Sequence, residues 1–454
     1  MPVNMRFFRN AISLIGVALA TIGAILFLTV FLIDLFGMHR NPYIGIVFFL
    51  LLPAIFLLGL ALIPLGVWLD RRRQTGVLAV SQWPRLDLSD PVQRRATVAV
   101  LGLTVANLVI VSLATYRGIE YMDTVQFCGQ VCHTVMKPEF TAYQDVAHSR
   151  VACVQCHIGP GASSLVKSKI LGTWQPFAIA FRSYPRPIPG VVENMRPARD
   201  TCEQCHWPEK FYGDQIRRVY EYAEDEKNTE SLTTLQVHVG GGSARLGIAQ
   251  GIHWHMNVAN EVEYIATDDQ RQVIPWVRIK DGNGNVTEFV AEGTKPEALA
   301  KGERRVMDCM DCHNRPSHPI AATPERAINE LMARGDVPKT LPFVRRETVK
   351  TLKASYATQE GAEGEISRAL RDFYRTHYPA QSMTARQDVE KAVRATIGVY
   401  RRNVFPEMNV QFGTYPSNIG HMDSPGCFRC HDDNHKSKDG TKIGQDCDTC
   451  HSVQ

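Results

Sequence analysis

The segment CVQCH at residues 153–157 places two cysteines three positions apart, with a histidine directly after the second one. The same pattern recurs as CEQCH (202–206), CMDCH (309–313), CFRCH (427–431) and CDTCH (447–451). Two thiols at this spacing can reach two vinyl groups of one porphyrin, while the next imidazole swings beneath the ring to the iron. These five segments predict five covalently bound c-type haems, because zinc ribbons with CxxC pairs do not require the histidines.

A sixth segment, FCGQVCHTVM at 127–136, has one residue more, because three residues separate Cys128 from Cys132. These two are the last of the twelve cysteines, and His133 follows them directly. A disulfide or two unmodified thiols is one interpretation; a sixth haem on a longer CxxxCH attachment is the one we favour. The predicted haem-binding cysteines are Cys128, Cys132, Cys153, Cys156, Cys202, Cys205, Cys309, Cys312, Cys427, Cys430, Cys447 and Cys450, and the predicted proximal ligands are His133, His157, His206, His313, His431 and His451.

Low-spin haems that carry electrons need a second strong ligand opposite the proximal histidine. Nine histidines remain outside the motifs. Two of them follow a motif histidine by four or five residues, which favours ligation of a neighbouring haem rather than their own. The alternative for each isolated histidine is a hydrogen-bonded structural role. The distal candidates are His148, His253, His255, His318, His421 and His435, with His238 and His377 as weaker ones.

Three apolar segments, at residues 11–37, 43–69 and 96–115, are long enough to cross a bilayer as helices. Arginines crowd the N-terminus and the 70–95 loop, so the positive-inside rule predicts that both are cytoplasmic and that the chain after about residue 116 lies outside. No histidine lies within the three apolar runs, which predicts that no haem is bound inside the membrane. The net charge of +4 does not indicate a nucleic-acid partner.

The predicted fold is a membrane-anchored multihaem cytochrome c that is mainly α and irregular, with a small β-hairpin insertion. Alternating apolar residues around a GNGN turn predict the hairpin, in EVEYIATD (261–268) and VIPWVRIKDGNGNVTEFVAEG (273–293). Amphipathic patterns predict helices over 324–335 and 384–405. We expect haems rather than a continuous aliphatic core to supply most of the buried apolar surface. The predicted domains are a three-helix anchor (1–116), a three-haem module (117–215), a haem-free insertion with the hairpin (216–300) and a C-terminal three-haem module (301–454).

Three segments resemble the membrane-anchored multihaem quinol dehydrogenases of the NapC/NirT family. They are CGQVCHTVMKPEFTAYQ (128–144), HSRVACVQCHIGPGA (148–162) and RPARDTCEQCHWPEKF (196–211), and the resemblance covers about residues 117–215. With its long extension through GCFRCHDDNHKSKDG (426–440), the chain is also similar to inner-membrane cytochromes of metal-reducing bacteria. The simplest family members have one membrane helix and four haems, so their partner need not be the partner of this chain.

The resemblance also implies particular site residues. Met136 lies three residues after His133, where spacing alone leaves iron ligation and packing against the porphyrin equally open. The resemblance favours Met136 as a ligand of the first haem. It further implies a quinol pocket with a lysine and an acid after the second motif. Lys167 and Lys169 match the lysine, but Gln175 stands where an acid is expected, so the proton acceptor could instead be Glu139 or Asp145.

The resulting functional prediction is a quinol dehydrogenase of the bacterial inner membrane, active in anaerobic respiration. It would pass electrons from menaquinol or another quinol through six haems to a periplasmic cytochrome or reductase. The alternative is an electron-relay subunit whose quinol site lies in another chain. The three helices are expected to anchor the protein and to bind a membrane partner subunit. A terminal reductase is disfavoured, because well-known enzymes of that kind often replace one proximal histidine with lysine, and every motif here ends in histidine.

Overall fold

The computed structural model describes residues 11–35, 51–75, 88–131, 133–159, 161–191, 195–241, 251–256 and 260–454. The chain divides between Cys132 and His133 into two units, Met1–Cys132 and His133–Gln454. The predicted four-part division of the chain stays a prediction.

The first unit contains three long apolar helices, α1 (Ala11–Leu35), α2 (Leu52–Thr75) and α3 (Pro91–Met122). Each is long and apolar enough to cross a membrane, which confirms the three predicted spans by length and composition. Residues 43–50 of the second predicted span lie outside the described residues. Asp90 caps α3, because its side chain accepts a hydrogen bond of 2.9 Å from the Val92 amide.

Glycines bring α1 and α2 into close antiparallel contact. A Cβ atom on Gly59 would lie 2.4 Å from the Ala20 nitrogen, and one on Gly16 would lie 2.8 Å from the Gly59 carbonyl oxygen. Small residues of this kind allow helix backbones to approach closely in a membrane. Phe27 of α1 and Leu52 of α2 form a buried cluster with Ala114 of α3. The C-terminal part of α3 therefore packs at the end of the α1–α2 pair where Phe27 and Leu52 meet.

Two antiparallel sheets organise the second unit. The strands in chain order are β1 (Asp214–Tyr222), β2 (Glu230–His238), β3 (Glu261–Ala266), β4 (Trp276–Lys280), β5 (Val286–Ala291), β6 (Glu303–Val306), β7 (His435–Lys436) and β8 (His451–Val453). One sheet has the order β1-β2-β8 and the other the order β6-β3-β4-β5-β7. The predicted hairpin is present as β4–β5. The prediction of a small β-hairpin insertion nevertheless underestimated the amount of β structure. The hairpin lies within a five-stranded sheet, and the unit also contains a three-stranded sheet.

Twelve helices follow α3 in the described part of the chain, apart from short 3₁₀ and π turns. They are α4 (His133–Gln144), α5 (Cys153–His157), α6 (Ala162–Gly172), α7 (Gln175–Ala180), α8 (Ala198–Cys202), α9 (Pro296–Lys301), α10 (Cys309–Cys312), α11 (Pro324–Ala333), α12 (Val344–Lys353), α13 (Gln359–His377), α14 (Pro379–Thr384) and α15 (Arg386–Asn403). Helices α11 and α15 confirm the two predicted amphipathic helices.

Helices α11 to α15 form a bundle between the fourth and fifth motifs. Ile366, Leu370 and Tyr374 line one face of α13 at a spacing of four residues, and each is buried. They belong to a cluster of seventeen buried residues that also includes Ile328 and Val393. The expectation that haems supply most of the buried apolar surface was therefore wrong for this bundle, which has an aliphatic and aromatic core of its own.

Candidate haem sites

Short helical turns carry the second, fourth, fifth and sixth motifs, whereas α8 ends at the first cysteine of the third motif. The segment CVQCH forms α5, and α10 begins and ends at the two cysteines of CMDCH. The 3₁₀ turns at Gly426–Arg429 and Cys447–Thr449 carry the last two motifs. Residues three apart in such a turn lie on one side, so both thiols can face one porphyrin edge. The Asp308 and Asp311 side chains form a capping box around α10, with hydrogen bonds of 2.8 and 2.7 Å.

The first motif begins in a π-helical turn, Phe127–Val131, which contains Cys128. A π turn closes over one more residue than an α turn, and an inserted residue is its usual origin. This turn accommodates the extra residue of the CxxxCH segment. Cys132 and the side chain of His133 lie outside the described residues, so the predicted ligation of a first haem by His133 and Met136 stays a prediction.

Five imidazole pairs join a motif histidine to a histidine from elsewhere in the chain. The distances between ring centroids are 6.2 Å for His157–His318, 6.1 Å for His206–His148, 6.4 Å for His313–His253, 5.9 Å for His431–His255 and 6.0 Å for His451–His421. Every motif histidine except His133 belongs to one of these five pairs.

This spacing matches two axial ligands of one iron. An imidazole nitrogen lies about 2 Å from a bound metal and about 1 Å from its own ring centre, so two imidazoles on opposite faces have centroids about 6 Å apart. Direct ring stacking would bring them closer, as for His421 and Phe428 at 4.2 Å. The residues present therefore fit a haem with two histidine ligands at each of these five motifs.

Hydrogen bonds orient several of these rings. Nδ1 of each of five histidines faces a backbone carbonyl oxygen: His253 and Val239 at 2.9 Å, His255 and Ile252 at 2.9 Å, His318 and Glu139 at 3.1 Å, His431 and Gly444 at 3.0 Å, and His148 and Pro316 at 3.4 Å. A proton donated from Nδ1 leaves the lone pair on Nε2 for a metal. Burial also lowers the pKa of His157, His253, His255, His313 and His318, which favours the neutral ligand form.

His435 has a different environment from the other predicted distal ligands. It is buried, with Nδ1 2.8 Å from Asp432 Oδ1 and Nε2 2.7 Å from the carbonyl oxygen of Ile274. Both ring nitrogens are thus engaged in hydrogen bonds. Of the two weaker candidates, His238 contacts Asp214 at 3.0 Å, and His377 bonds the Phe373 carbonyl oxygen in its own helix at 3.1 Å.

Contacts join successive motifs from the third to the sixth. The Ala198 amide, at the start of the helix that ends at the third motif, donates a hydrogen bond of 3.4 Å to Asp308 directly before the fourth. Arg429 of the fifth motif donates to the carbonyl oxygen of Asp311 in the fourth at 2.5 Å. His421 stacks on Phe428 of the fifth motif and faces His451 of the sixth. The third to sixth motifs therefore follow one another in space.

Glycines allow two of these segments to fold. Gly426, directly before the fifth motif, has a φ of +51°, and a Cβ there would lie 1.5 Å from the Gly420 carbonyl oxygen. Gly251, two residues before His253, has a φ of +73°, and a Cβ there would lie 2.4 Å from the His238 carbonyl oxygen. Any other residue at either position would be strained and would shift the fifth motif or the segment that carries His253.

Both carboxylates predicted as proton acceptors pair with arginines. Glu139 lies 2.7 Å from Arg315 Nη2, and the two side chains are only 13 % and 12 % exposed. Its backbone carbonyl oxygen faces His318, so Glu139 belongs to the surroundings of the second motif. Asp145 pairs with Arg402 at 3.3 Å, and its side chain is 63 % exposed. The sequence analysis did not predict a role for Arg315. The sequence shows only that it is a basic residue two positions after the histidine of the fourth motif.

Lys167 and Lys169 lie on α6, which leads into α7. Exposed large apolar residues surround them on both helices and just after: Val166, Ile170, Leu171, Trp174, Phe177 and Phe181. Such a mixture of apolar, aromatic and cationic groups is typical of a segment at a bilayer interface.

Comparison with known proteins identifies the family. The model of the NapC/NirT cytochrome c family, N-terminal region, matches residues 91–184, which include α3 and the first two motifs. Cytochrome c-type protein ImcH of Geobacter sulfurreducens is 40 % identical over 452 residues, covering 98 % of this chain and 88 % of ImcH. The chain belongs to the NapC/NirT cytochrome c family. No solved structure matches it.

Membership of the NapC/NirT family establishes the general chemistry. The chain is a membrane-anchored c-type cytochrome that binds haem covalently and acts as an electron-transfer oxidoreductase. Its first two helices lie outside the matched region, which begins at residue 91.

Proposed function

We propose that this cytochrome is a quinol dehydrogenase of the bacterial inner membrane that passes electrons through six c-type haems to a periplasmic cytochrome or reductase. The observation that carries the proposal is the set of five histidine pairs spaced for two axial ligands on one iron. Haem held in this way supplies one-electron redox chemistry. Two histidines on one iron leave no position for a substrate, which favours an electron relay over a terminal reductase.

The proposed ligand pairs are the five centroid pairs described above, with His133 and Met136 for the first haem. We leave His435 out of the ligand set, because Asp432 and Ile274 engage both of its ring nitrogens. The contacts between successive motifs support a relay that runs from the third motif to the sixth in chain order.

The proposed stoichiometry is tested by counting haems. We expect six covalent haems per chain in a pyridine haemochrome assay, and five in the double variant Cys128→Ser, Cys132→Ser, because that variant removes both thiols of one attachment. Mass spectrometry of the intact chains should show the loss of one haem mass. A count of five in the unaltered protein would mean that the CxxxCH segment does not bind haem.

The proposed quinol site lies on α6 and α7. Lys167 or Lys169 would hydrogen-bond a quinol oxygen and stabilise the anion that forms as the first proton leaves. The exposed apolar residues of both helices support contact with the bilayer, where menaquinol or another quinol is dissolved. We retain Asp145 as the proton acceptor, because its side chain is largely exposed, and assign the Glu139 carboxylate to holding Arg315 instead.

The proposed orientation follows from the arginines. With the 70–95 loop in the cytoplasm, the C-terminal part of α3 lies on the opposite side, because it packs near Phe27 and Leu52 rather than near the end of α2 that leads into the loop. The haem-bearing chain after α3 would then be periplasmic.

The quinol site is tested by removing the lysines. We expect Lys167→Ala or Lys169→Ala to slow reduction by quinol about 10- to 100-fold, because a charge-assisted hydrogen bond contributes about 1.5 to 3 kcal/mol. Reduction by dithionite and the haem count should not change. Lys350→Ala, which removes an exposed lysine of the helical bundle, is the matched control. Normal quinol kinetics in both single variants and in the double variant would instead support a relay subunit whose quinol site lies in another chain.

A further inference from the structure

Arg429 lies between the two cysteines of the fifth motif and is buried, with 8 % of its surface exposed. Its guanidinium donates hydrogen bonds to three backbone carbonyl oxygens, those of Gly426 at 2.8 Å, Arg271 at 2.9 Å and Asp311 at 2.5 Å. Asp311 is one of the two residues between the cysteines of the fourth motif. One side chain therefore connects two successive haem-attachment turns.

Among the residues that the structure describes, no carboxylate forms an ion pair with Arg429. Its three acceptors are neutral carbonyl groups. The carboxylate of Asp311 points elsewhere, because it accepts hydrogen bonds from the Tyr264 hydroxyl and, at 2.7 Å, from the Asp308 amide. Arg305 lies 4.0 Å from the same carboxylate.

The charge of Arg429 lies within the attachment turn of the fifth motif and against the backbone of the fourth. Its guanidinium bonds the carbonyl oxygens of Gly426, directly before the fifth motif, and of Asp311 in the fourth. A buried charge is only weakly screened by solvent and salt, so its influence on nearby groups is larger than that of a surface arginine.

We propose that Arg429 is a positioning residue that raises the reduction potentials of the haems at the fourth and fifth motifs. Oxidation adds one positive charge to a haem iron, and a buried cation beside it disfavours the oxidised form. The reduced state at these two sites in the middle of the relay is thereby favoured about tenfold, which corresponds to about 59 mV for a one-electron couple. This inference rests on the proposed attachment of haem at both motifs.

The experiment is a spectroelectrochemical titration of the full-length protein in detergent. In Arg429→Gln, which keeps a hydrogen-bond donor but loses the charge, we expect two redox components to shift to lower potential by about 59 mV while the others keep their values. Arg429→Lys should retain the original potentials because it retains the charge. Arg371→Gln, which removes an exposed arginine charge from the helical bundle, should also leave every component unchanged.

A second variant separates charge from structure. Asn418 is buried and donates to the same Asp311 carbonyl oxygen at 2.9 Å, so Asn418→Ala removes a contact there without changing the charge. Unchanged potentials in Asn418→Ala support the inference. It is overturned if Asn418→Ala or Arg429→Lys shifts the same components as Arg429→Gln, or if Arg429→Gln shifts none. Peptide mass spectrometry of the unaltered protein without haem on CMDCH or CFRCH would count against the proposed function itself.

Discussion

Replacing Arg315 with methionine is expected to lower the free energy of unfolding of the full-length protein by about 3 kcal/mol, because it leaves the nearly buried carboxylate of Glu139 without its partner. Arg315 also donates to the carbonyl oxygen of His318 at 2.7 Å and stacks over the ring of Tyr415 at 3.8 Å. Chemical denaturation in detergent, followed by circular dichroism, measures the change.

The matched control is Arg402→Met. It removes the ion pair between Arg402 and Asp145, which joins the loop after α4 to α15, but the Asp145 side chain is 63 % exposed. Exposed pairs contribute at most about 1 kcal/mol, so this variant should lose much less stability. Equal losses in Arg315→Met and Arg402→Met would contradict the importance of the buried pair.

Glu139→Gln then separates the two roles considered for this carboxylate. If the Glu139 carboxylate holds Arg315 in place, the glutamine variant loses stability but still oxidises quinol at the normal rate once folded. If Glu139 is the proton acceptor, quinol oxidation slows while the free energy of unfolding hardly changes. The geometry around Arg315 favours the first outcome.

The haem-attachment motifs could be predicted from the sequence because each is contained in a few consecutive residues. The thiols and the proximal imidazole of CVQCH lie on one helical turn, whatever the rest of the chain does. The apolar spans and the β4–β5 hairpin are equally local, since length and a GNGN turn are visible in the sequence. The β1–β2 hairpin was missed because most of β1 is exposed and so lacks a clear alternation of apolar residues.

The pairing of distal histidines depends on contacts between distant parts of the chain. His318 and His435 stand at nearly the same spacing after a motif histidine, yet their surroundings differ. His318 faces His157 across 6.2 Å, whereas Asp432 and Ile274 engage both nitrogens of His435. No local pattern distinguishes the two positions. The same limit applies to Glu139, whose partner lies 176 residues further along the chain.

His318 offers the sharpest test of the proposed ligand pairs. Its Nδ1 is held by the Glu139 carbonyl oxygen at 3.1 Å, and burial lowers its pKa, so a neutral imidazole faces His157. We expect His318→Ala to convert one haem from low-spin to high-spin iron, because alanine has no ligand atom. About one sixth of the haem iron should then bind carbon monoxide after reduction, and added imidazole should restore the low-spin spectrum.

His435→Ala is the matched control for this prediction, since His435 is also a buried histidine shortly after a motif. Its loss removes hydrogen bonds to Asp432 and Ile274, which should lower stability by about 1 to 3 kcal/mol without changing any spin state. Electron paramagnetic resonance of both variants distinguishes the two outcomes. High-spin iron in His435→Ala, or no high-spin iron in His318→Ala, would require a different set of axial ligands. High-spin iron in His318→Ala alone would assign His157 and His318 to one iron.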